Sequence, residues 1–261
     1  MAVPRLLSIA GSDSGGGAGI QADLKAFARC GVHGMTAITA VTMQNTVAVT
    51  GVHQLPPEAI IGQVRAVAED IGVDGVKIGM LGTAETIHAV ERALELVGDA
   101  PVVLDPVMVA ESGAVLLDDD AREALRTRLV PRATVITPNL PEARVLADAA
   151  HDEGADALAR AVRALGAGAV VVTGGHSQNA TDLFFDGAQM VAIEGERQPA
   201  GAAHGSGCTH SSALAAQLAL GLEPVDAARR AKAIAAEAVR DGLREIGAGA
   251  GPVNVLGIGR R

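Results

Sequence analysis

Short apolar runs alternate with longer amphipathic stretches along most of the chain. A run such as Val170-Val171-Val172 is apolar without alternation, which is typical of a strand covered by helices on both faces. The apolar runs predict strands over Leu6–Ala10, Met35–Thr42, Gly75–Ile78, Val102–Leu104, Thr134–Thr137 and Ala169–Thr173. The stretches between them carry Ala, Leu and charged residues at helical spacing, and predict helices over Gly19–Cys30, Pro57–Ile71, Ala84–Val97, Asp120–Leu129, Pro141–Ala150 and Asp156–Leu165.

This βαβα order predicts an α/β fold, a three-layer α/β/α sandwich around a mostly parallel sheet. The pattern breaks between Thr181 and Glu196, where two strand-like runs flank Asp186-Gly187 and predict a small β-hairpin. Two Ala-rich helices are predicted after it, over Cys208–Leu220 and Val225–Leu243.

The end of the chain combines two patterns. The glycine-rich segment 247–252 is typical of a linker, whereas the apolar residues of Val253–Leu256 predict an end docked on the fold. Neither an internal repeat nor a shift in composition divides the 261 residues, so we expect a single domain over residues 1–261.

Charge and composition limit the partners. The chain has 30 acidic and 21 basic side chains, a formal charge of −9, and three aromatic residues, which argues against a nucleic-acid surface. An anionic ligand would have to be held locally by backbone N–H groups, a helix terminus or a metal ion. Two cysteines, no signal-peptide pattern and no apolar run of about 18 residues indicate a soluble cytoplasmic protein without a membrane partner.

The loops after the predicted strands are where ligands bind in an open parallel sheet. The first of them, Gly11–Gly19, contains a G-x-G-x-x-G-like register, but the acidic residue about 20 positions later that would contact a ribose is missing. A glycine turn without a ligand remains one interpretation. The other is close backbone approach to a small ligand, with Asp13 and Asp23 as acceptors.

Two acids follow neighbouring predicted strands. Asp105 ends one strand and Glu142 comes shortly after the next, so together they favour a site for Mg²⁺ and phosphate. Each also has a simpler interpretation, Asp105 as a turn acceptor and Glu142 as an acid that stabilises a helix N-terminus.

The segment Gly205-Ser206-Gly207-Cys208 precedes a predicted helix. Glycines at a helix N-terminus present several N–H donors to one point, and so predict an oxyanion site. The same location lowers a cysteine pKa, which makes Cys208 a candidate catalytic base. A packed small side chain is the alternative role for Cys208.

Seven segments together closely resemble the hydroxymethylpyrimidine/phosphomethylpyrimidine kinases of thiamine biosynthesis. They run in the same order from the first glycine loop to the second, over Ile9–Asp23, Gln44–Thr46, Lys77–Leu81, Asp105–Met108, Thr137–Glu142, Gly174–His176 and His204–Thr209. The resemblance implies a ribokinase-like fold, a homodimer, and two successive ATP-dependent phosphorylations of a small pyrimidine.

The resemblance also implies roles for individual residues. Cys208 is the base behind the anion hole of Gly205, Ser206 and Gly207. The residues that it implies for binding the pyrimidine are Gln44, Gly11, Asp23, Met80 and Val107. It implies that Thr173, Gly175 and Asn139 bind the nucleotide, ATP, and that Asp105 and Glu142 hold Mg²⁺.

One position departs from the resemblance. Many members have Lys immediately before Gly-Gly-His, whereas this chain has Thr173, which removes a charge from the expected nucleotide site. Two other functions stay open, a pyridoxal kinase of the vitamin B6 type and a non-catalytic pyrimidine-binding protein.

Overall fold

A computed structural model describes residues 2–150, 152–174, 180–198 and 202–259. Its sheet has nine strands in the order β3-β2-β1-β4-β5-β6-β7-β8-β9. The strands are β1 Arg5–Asp13, β2 His33–Gln44, β3 Val49–Gln54, β4 Gly75–Ile78, β5 Val102–Leu104, β6 Val135–Ile136, β7 Ala169–Val172, β8 Asp182–Phe185 and β9 Met190–Ile193. In the order of the sheet, all neighbouring strands from β2 through β1 to β7 pair in parallel. The other three pairs are antiparallel: β3 with β2, β8 with β7, and β9 with β8.

Helices cover both faces of the sheet. They are α1 Gly19–Arg29, α2 Pro57–Asp70, α3 Ala84–Leu94, α4 Asp119–Ala124, α5 Leu140–Ala147, α6 Ala155–Ala164, α7 Ser206–Ala219 and α8 Pro224–Arg240. Alternate residues of one strand enter different cores: Leu7 packs in the core that includes α2 to α6, and Leu6 in the core that includes α1, α7 and α8. This alternation confirms the predicted three-layer sandwich.

Each predicted strand and helix has an observed counterpart, and the hairpin around Asp186-Gly187 is present as β8 and β9. Two features differ. Strand β3 was not expected, because its sequence is largely polar and has Gly51 in its middle, where it pairs with Met43. The predicted helix Asp120–Leu129 leaves α-helical geometry after Ala124 and continues as a π-helical turn over Leu125–Leu129, ahead of Pro131.

The linker interpretation of the segment 247–252 is wrong. Gly249 donates its N–H to Thr46 Oγ1 at 3.2 Å, and a side chain at Gly247 or Gly249 would overlap Thr46. The docked end is confirmed, since Val253 and Val255 are buried beside α1 and α8. The glycines are therefore used for close packing against the turn between β2 and β3.

The carboxyl ends of the parallel strands share one edge of the sheet, and the loops that carry the predicted site residues leave from it. Helix α7 begins at this edge, because it follows the loop that contains His204 and Gly205. None of the helices in the described ranges combines the length and the apolar character needed to cross a membrane.

Candidate active site

The loop between β1 and α1 is shaped by Asp13. Its buried carboxylate accepts hydrogen bonds from the N–H groups of Gly15 at 2.8 Å, Gly17 at 3.0 Å and Ala18 at 2.8 Å. Burial raises the pKa of Asp13, but the hydrogen bonds from His204 and from these N–H groups outweigh it and hold the pKa below its usual value. The prediction that Asp13 offers an acceptor to a ligand is therefore wrong, because its oxygens organise the loop.

Asp23, on α1, is fully buried at the base of the site. One oxygen accepts from Ser8 at 2.5 Å, and the other accepts from Ser212 at 2.7 Å and from Lys77 at 2.9 Å. These contacts engage both carboxylate oxygens of Asp23 within the protein. Its place beside the pyrimidine stays a prediction that rests on the resemblance.

Lys77 had no role of its own among the predictions and belonged only to the segment Lys77–Leu81. The structure shows it as a fully buried charge on β4. Its Nζ lies 2.9 Å from Asp23 Oδ1 and 4.0 Å from Asp105 Oδ2. Burial lowers the pKa of Lys77, but the negative charges of its neighbours, Asp23 above all, raise it above the usual value. A lone lysine in the apolar run Gly75–Ile78 is the sequence signal for such a buried cation.

Asp105 directly follows β5, and Glu142 lies in the first turn of α5, shortly after β6, in the order that the sequence predicts. Ser211, in the first turns of α7, donates to Asp105 at 3.0 Å. Burial raises the pKa of Asp105, although Lys77 opposes the shift. Burial, followed by the charge of Asp105, raises the pKa of Glu142 to about 8. Two carboxylates that disfavour each other's charge are a suitable donor set for a hard cation.

Glu142 also has the simpler role considered for it. Its carboxylate accepts from Asn139 N–H at 2.9 Å and from Met108 N–H at 3.4 Å, while Asn139 Oδ1 accepts from Glu142 N–H at 2.9 Å. This reciprocal pair is a capping box at the start of α5. No group of three or more His, Cys, Asp or Glu side chains in the described part of the chain is arranged to hold a metal ion. A cation here would need further oxygen ligands from phosphate or water.

The residues of the predicted anion hole, Gly205, Ser206 and Gly207, lie at the start of α7. Gly205 precedes the helix with φ +83°, and the N–H of Ser206 donates to Ala203 O at 3.0 Å. Within the described residues, the N–H groups of Gly207 and Cys208 have no hydrogen-bond acceptor. These two donors can receive an oxyanion, whereas the N–H of Ser206 is already used.

The pKa of Cys208 differs from expectation. Desolvation is the largest cause of its shift, and the charges of Asp105 and Asp23 add to it, so that the pKa rises to about 12 despite the opposing charge of Lys77. The prediction that the helix N-terminus lowers this pKa is therefore wrong. The position beside the anion hole remains as expected, but the residue is a thiol at neutral pH.

Two of the residues predicted around the pyrimidine are neighbours in the structure. A Cβ on Gly11 would lie 3.0 Å from Met80 Sδ, so these two residues are adjacent. The half-buried Val107 donates its N–H to Asp105 O at 2.8 Å. Gln44 ends β2, where its N–H donates to Ser14 Oγ at 2.9 Å and Ser14 donates back to Gln44 O at 2.7 Å. The backbone of Gln44 is thus fixed to the first glycine loop.

The residues predicted for the nucleotide are partly described. Thr173 follows β7 and donates its N–H to Pro138 O at 2.8 Å, which brings it beside Asn139. Gly175 and His176 lie outside the described residues.

A sequence model of the phosphomethylpyrimidine kinase family matches residues 13–254. The hydroxymethylpyrimidine/phosphomethylpyrimidine kinase of Rhizobium meliloti is 49% identical over 254 residues, which cover 95% of this chain and 95% of the relative. Among solved structures, the Staphylococcus aureus pyridoxal kinase in complex with pyridoxal is similar with a TM-score of 0.90 and 34% identity, covering 100% of this chain and 96% of that one. The phosphomethylpyrimidine kinase of Clostridium difficile gives a TM-score of 0.77 at 38% identity, covering 89% and 97% of the two chains.

These similarities span nearly the whole chain, and residues 13–254 of the family match include all the segments that carried the resemblance except residues 9–12 of the first. The identity to curated relatives lies well above the level at which only a fold is shared. The chain belongs to the phosphomethylpyrimidine kinase family and has its ribokinase-like fold.

Proposed function

We propose that this protein is an ATP-dependent kinase of thiamine biosynthesis. It phosphorylates the 5-hydroxymethyl group of 4-amino-5-hydroxymethyl-2-methylpyrimidine, and then the resulting monophosphate. The observation that carries this proposal is the hydrogen bond of 3.0 Å from Ser211 to Asp105. It joins the helix start whose free N–H groups suit a phosphoryl group to the acids at the carboxyl edge of the sheet.

The wider proposal follows the relatives. Curated relatives carry the name hydroxymethylpyrimidine/phosphomethylpyrimidine kinase, and the Staphylococcus aureus pyridoxal kinase has been solved with AMP-PCP, an ATP analogue, together with pyridoxal. Residues 1–261 then form one kinase domain of a cytoplasmic homodimer, with the pyrimidine and ATP as its small-molecule partners.

Phosphoryl transfer requires mainly positioning and neutralisation of charge. The N–H groups of Gly207 and Cys208 receive the negative charge of the transferred group, and the side chain of Cys208, in its thiolate form, accepts the proton of the acceptor hydroxyl. Asp105 and Glu142 would hold Mg²⁺, which neutralises phosphate charge when it is bound. Thr173 and Asn139, which are paired in an isolated β-bridge beyond the ends of β7 and β6, contact the nucleotide.

The proposed activity is tested by incubating the protein with Mg²⁺, ATP and the pyrimidine alcohol, followed by mass spectrometry of the pyrimidine. We expect products with one and with two added phosphoryl groups. A product with no added group in the presence of folded protein would overturn the proposal, and would favour the non-catalytic pyrimidine-binding protein.

Pyridoxal is the second candidate acceptor. It also carries a hydroxymethyl group on an aromatic nitrogen heterocycle, and the Staphylococcus aureus kinase whose structure is so similar was solved with it. A parallel incubation with pyridoxal distinguishes the two acceptors by the ratio of their kcat/KM values.

Replacing Gln44 by leucine tests how the ring is recognised. A carboxamide pairs with both the ring nitrogen and the exocyclic amine of an aminopyrimidine, so its loss leaves two ligand groups unpaired at about 1 to 3 kcal/mol each. The backbone bonds between Gln44 and Ser14 keep the loop in place in this variant. We expect kcat/KM to fall more for the pyrimidine than for pyridoxal, which lacks that amine. Equal losses for both acceptors would mean that Gln44 does not contact the ring.

Replacing Glu142 by glutamine tests the metal assignment. Gln keeps an oxygen to accept the Asn139 N–H, so the capping box and the folded state are largely preserved. The change removes a charged hard ligand, and the Mg²⁺ concentration that gives half-maximal activity is expected to rise. An Mg²⁺ titration of both proteins at saturating ATP measures this. An unchanged midpoint would leave Glu142 with its capping role alone.

A further inference from the structure

Two glycine loops that are far apart in the sequence meet through one pair of side chains. His204 Nε2 lies 3.0 Å from Asp13 Oδ2, and both side chains are buried. Asp13 organises the loop between β1 and α1, and His204 directly precedes the anion-hole residue Gly205. The pair therefore connects the end of β1, which carries Gly11, with the loop that leads into α7.

The two loops are also packed without space between them. A side chain at Gly17 would overlap the imidazole ring of His204, and a side chain at Gly205 would overlap the carbonyl oxygen of Gly17. Glycine at these two positions is thus explained by the contact between the loops. The contact allows little relative movement while the pair is intact.

His204 is held on its other side by the end of the chain. Its backbone N–H donates to Gly251 O at 3.3 Å, and its carbonyl oxygen accepts from Val253 N–H at 3.1 Å. Its imidazole donates from Nε2 to the carboxylate of Asp13, which is ionised because its pKa is held below the usual value. His204 is accordingly fixed both by its backbone and by its side chain.

We propose that the Asp13–His204 pair is a positioning device, which holds the acceptor hydroxyl in line with the phosphoryl group at the anion hole. The inference rests on the proposed kinase function and adds two residues to it that touch neither substrate. In-line transfer requires the attacking oxygen and the phosphorus to be held within a fraction of an ångström, and a displacement of about 1 Å costs about 10²-fold in rate. A direct bond between the two loops supplies this constraint.

The consequence of loosening the pair is a change in what accepts the phosphoryl group. In the intact enzyme the acceptor oxygen of the pyrimidine substrate forms the new bond to the γ-phosphorus and the bond to ADP breaks. One ADP therefore appears for each phosphoryl group added to the pyrimidine, and two for each doubly phosphorylated product. When the loops separate, water can attack the same phosphorus and give ADP and inorganic phosphate, with the water proton released to solvent. The ratio of ADP to phosphoryl groups added to the pyrimidine then exceeds one.

The test measures this ratio in the full chain with Mg²⁺, ATP and the pyrimidine alcohol, for His204→Leu and His204→Gln. Leucine removes the donor, so we expect about a 10²-fold lower rate of pyrimidine phosphorylation and a ratio above one. Glutamine carries an amide N–H donor of similar reach, and we expect it to restore a ratio near one. Val64→Ala on α2, which creates a cavity in the core on the opposite face of the sheet from α1 and α7, is the control for loss of stability alone.

The outcomes separate the positioning role from a structural one. If His204→Leu reduces the amount of active protein but keeps a ratio of one, as Val64→Ala should, the proposal is wrong. If His204→Leu does not fold, Asp13→Asn provides the second variant, and it must also raise the ratio. Failure of the unmodified protein to phosphorylate the pyrimidine would instead overturn the proposed function, because that measurement does not involve the pair.

Discussion

Replacing Cys208 by alanine is expected to lower kcat for pyrimidine phosphorylation by about 10² to 10⁴-fold, the range for removal of a general base. The KM values for both substrates should change little, since the thiol acts on the hydroxyl proton during transfer. Steady-state kinetics of Cys208→Ala and Cys208→Ser provide the measurement. Serine preserves the packing of the thiol, so activity restored by serine would assign Cys208 a packing role.

The raised pKa of Cys208 gives this prediction a pH dependence. The base must be deprotonated, and a pKa of about 12 leaves a thiolate fraction that grows tenfold with each pH unit across neutral pH. For the unmodified enzyme we expect kcat/KM for the pyrimidine to rise between about pH 7.5 and 9.5 without a plateau, and Cys208→Ala to lose this slope. A plateau near the usual cysteine pKa, about 8.5, would show that bound ATP and Mg²⁺ restore an ordinary thiol.

The parallel part of the fold was predicted well, because parallel strands that are buried on both faces appear in the sequence as short apolar runs. Strand β3 was missed for the opposite reason. It is a largely polar edge strand with no apolar run, and its backbone is specified by pairing with β2. The tail glycines were misread because composition alone does not distinguish a flexible glycine from one that packs closely, as Gly249 does on Thr46.

The candidate site was predictable where it depends on position along the chain. Asp105, Glu142 and the N–H groups at the start of α7 follow from strand ends and a helix start. The contacts between charged side chains were not predictable, because they join distant parts of the sequence. Asp13 and His204 are separated by 191 positions, and Lys77 lies 54 positions from Asp23. The predicted direction of the Cys208 pKa shift was wrong for this reason, because that pKa depends on the burial and the charges that these contacts create.

Replacing Lys77 by methionine is expected to destabilise the protein by about 3 to 5 kcal/mol, the usual cost of leaving a buried charge without its partner. Methionine has a similar length, so the loss comes from the charge and little from volume. The variant retains Asp23, fully buried, and Asp105, with Ser8, Ser211 and Ser212 as their remaining donors. Chemical unfolding with equal slopes for both proteins provides the measurement.

The pH range of this effect follows from the direction of the lysine shift. The pKa of Lys77 is higher in the folded state than its usual value, so its contribution is complete below that usual value and is lost only as pH rises through the folded one. The difference between Lys77→Met and the unmodified protein should therefore persist from about pH 7 to 9, well below the usual lysine pKa.

A double variant separates the charge from other consequences of the change. Asp23→Asn removes the carboxylate that lies 2.9 Å from Lys77 Nζ, so the two substitutions together leave neither charge without its partner. Replacing both members of a buried ion pair with neutral groups is often nearly neutral, and we expect the double variant to be more stable than the sum of the two single losses predicts. The difference from additivity measures the coupling of the pair, since residues in contact are not independent. Removing one partner of a buried ion pair typically costs about 3 to 5 kcal/mol. Strict additivity of the two losses would therefore mean that Lys77 contributes little as a buried countercharge. A loss of stability below about 1 kcal/mol for Lys77→Met alone would mean the same.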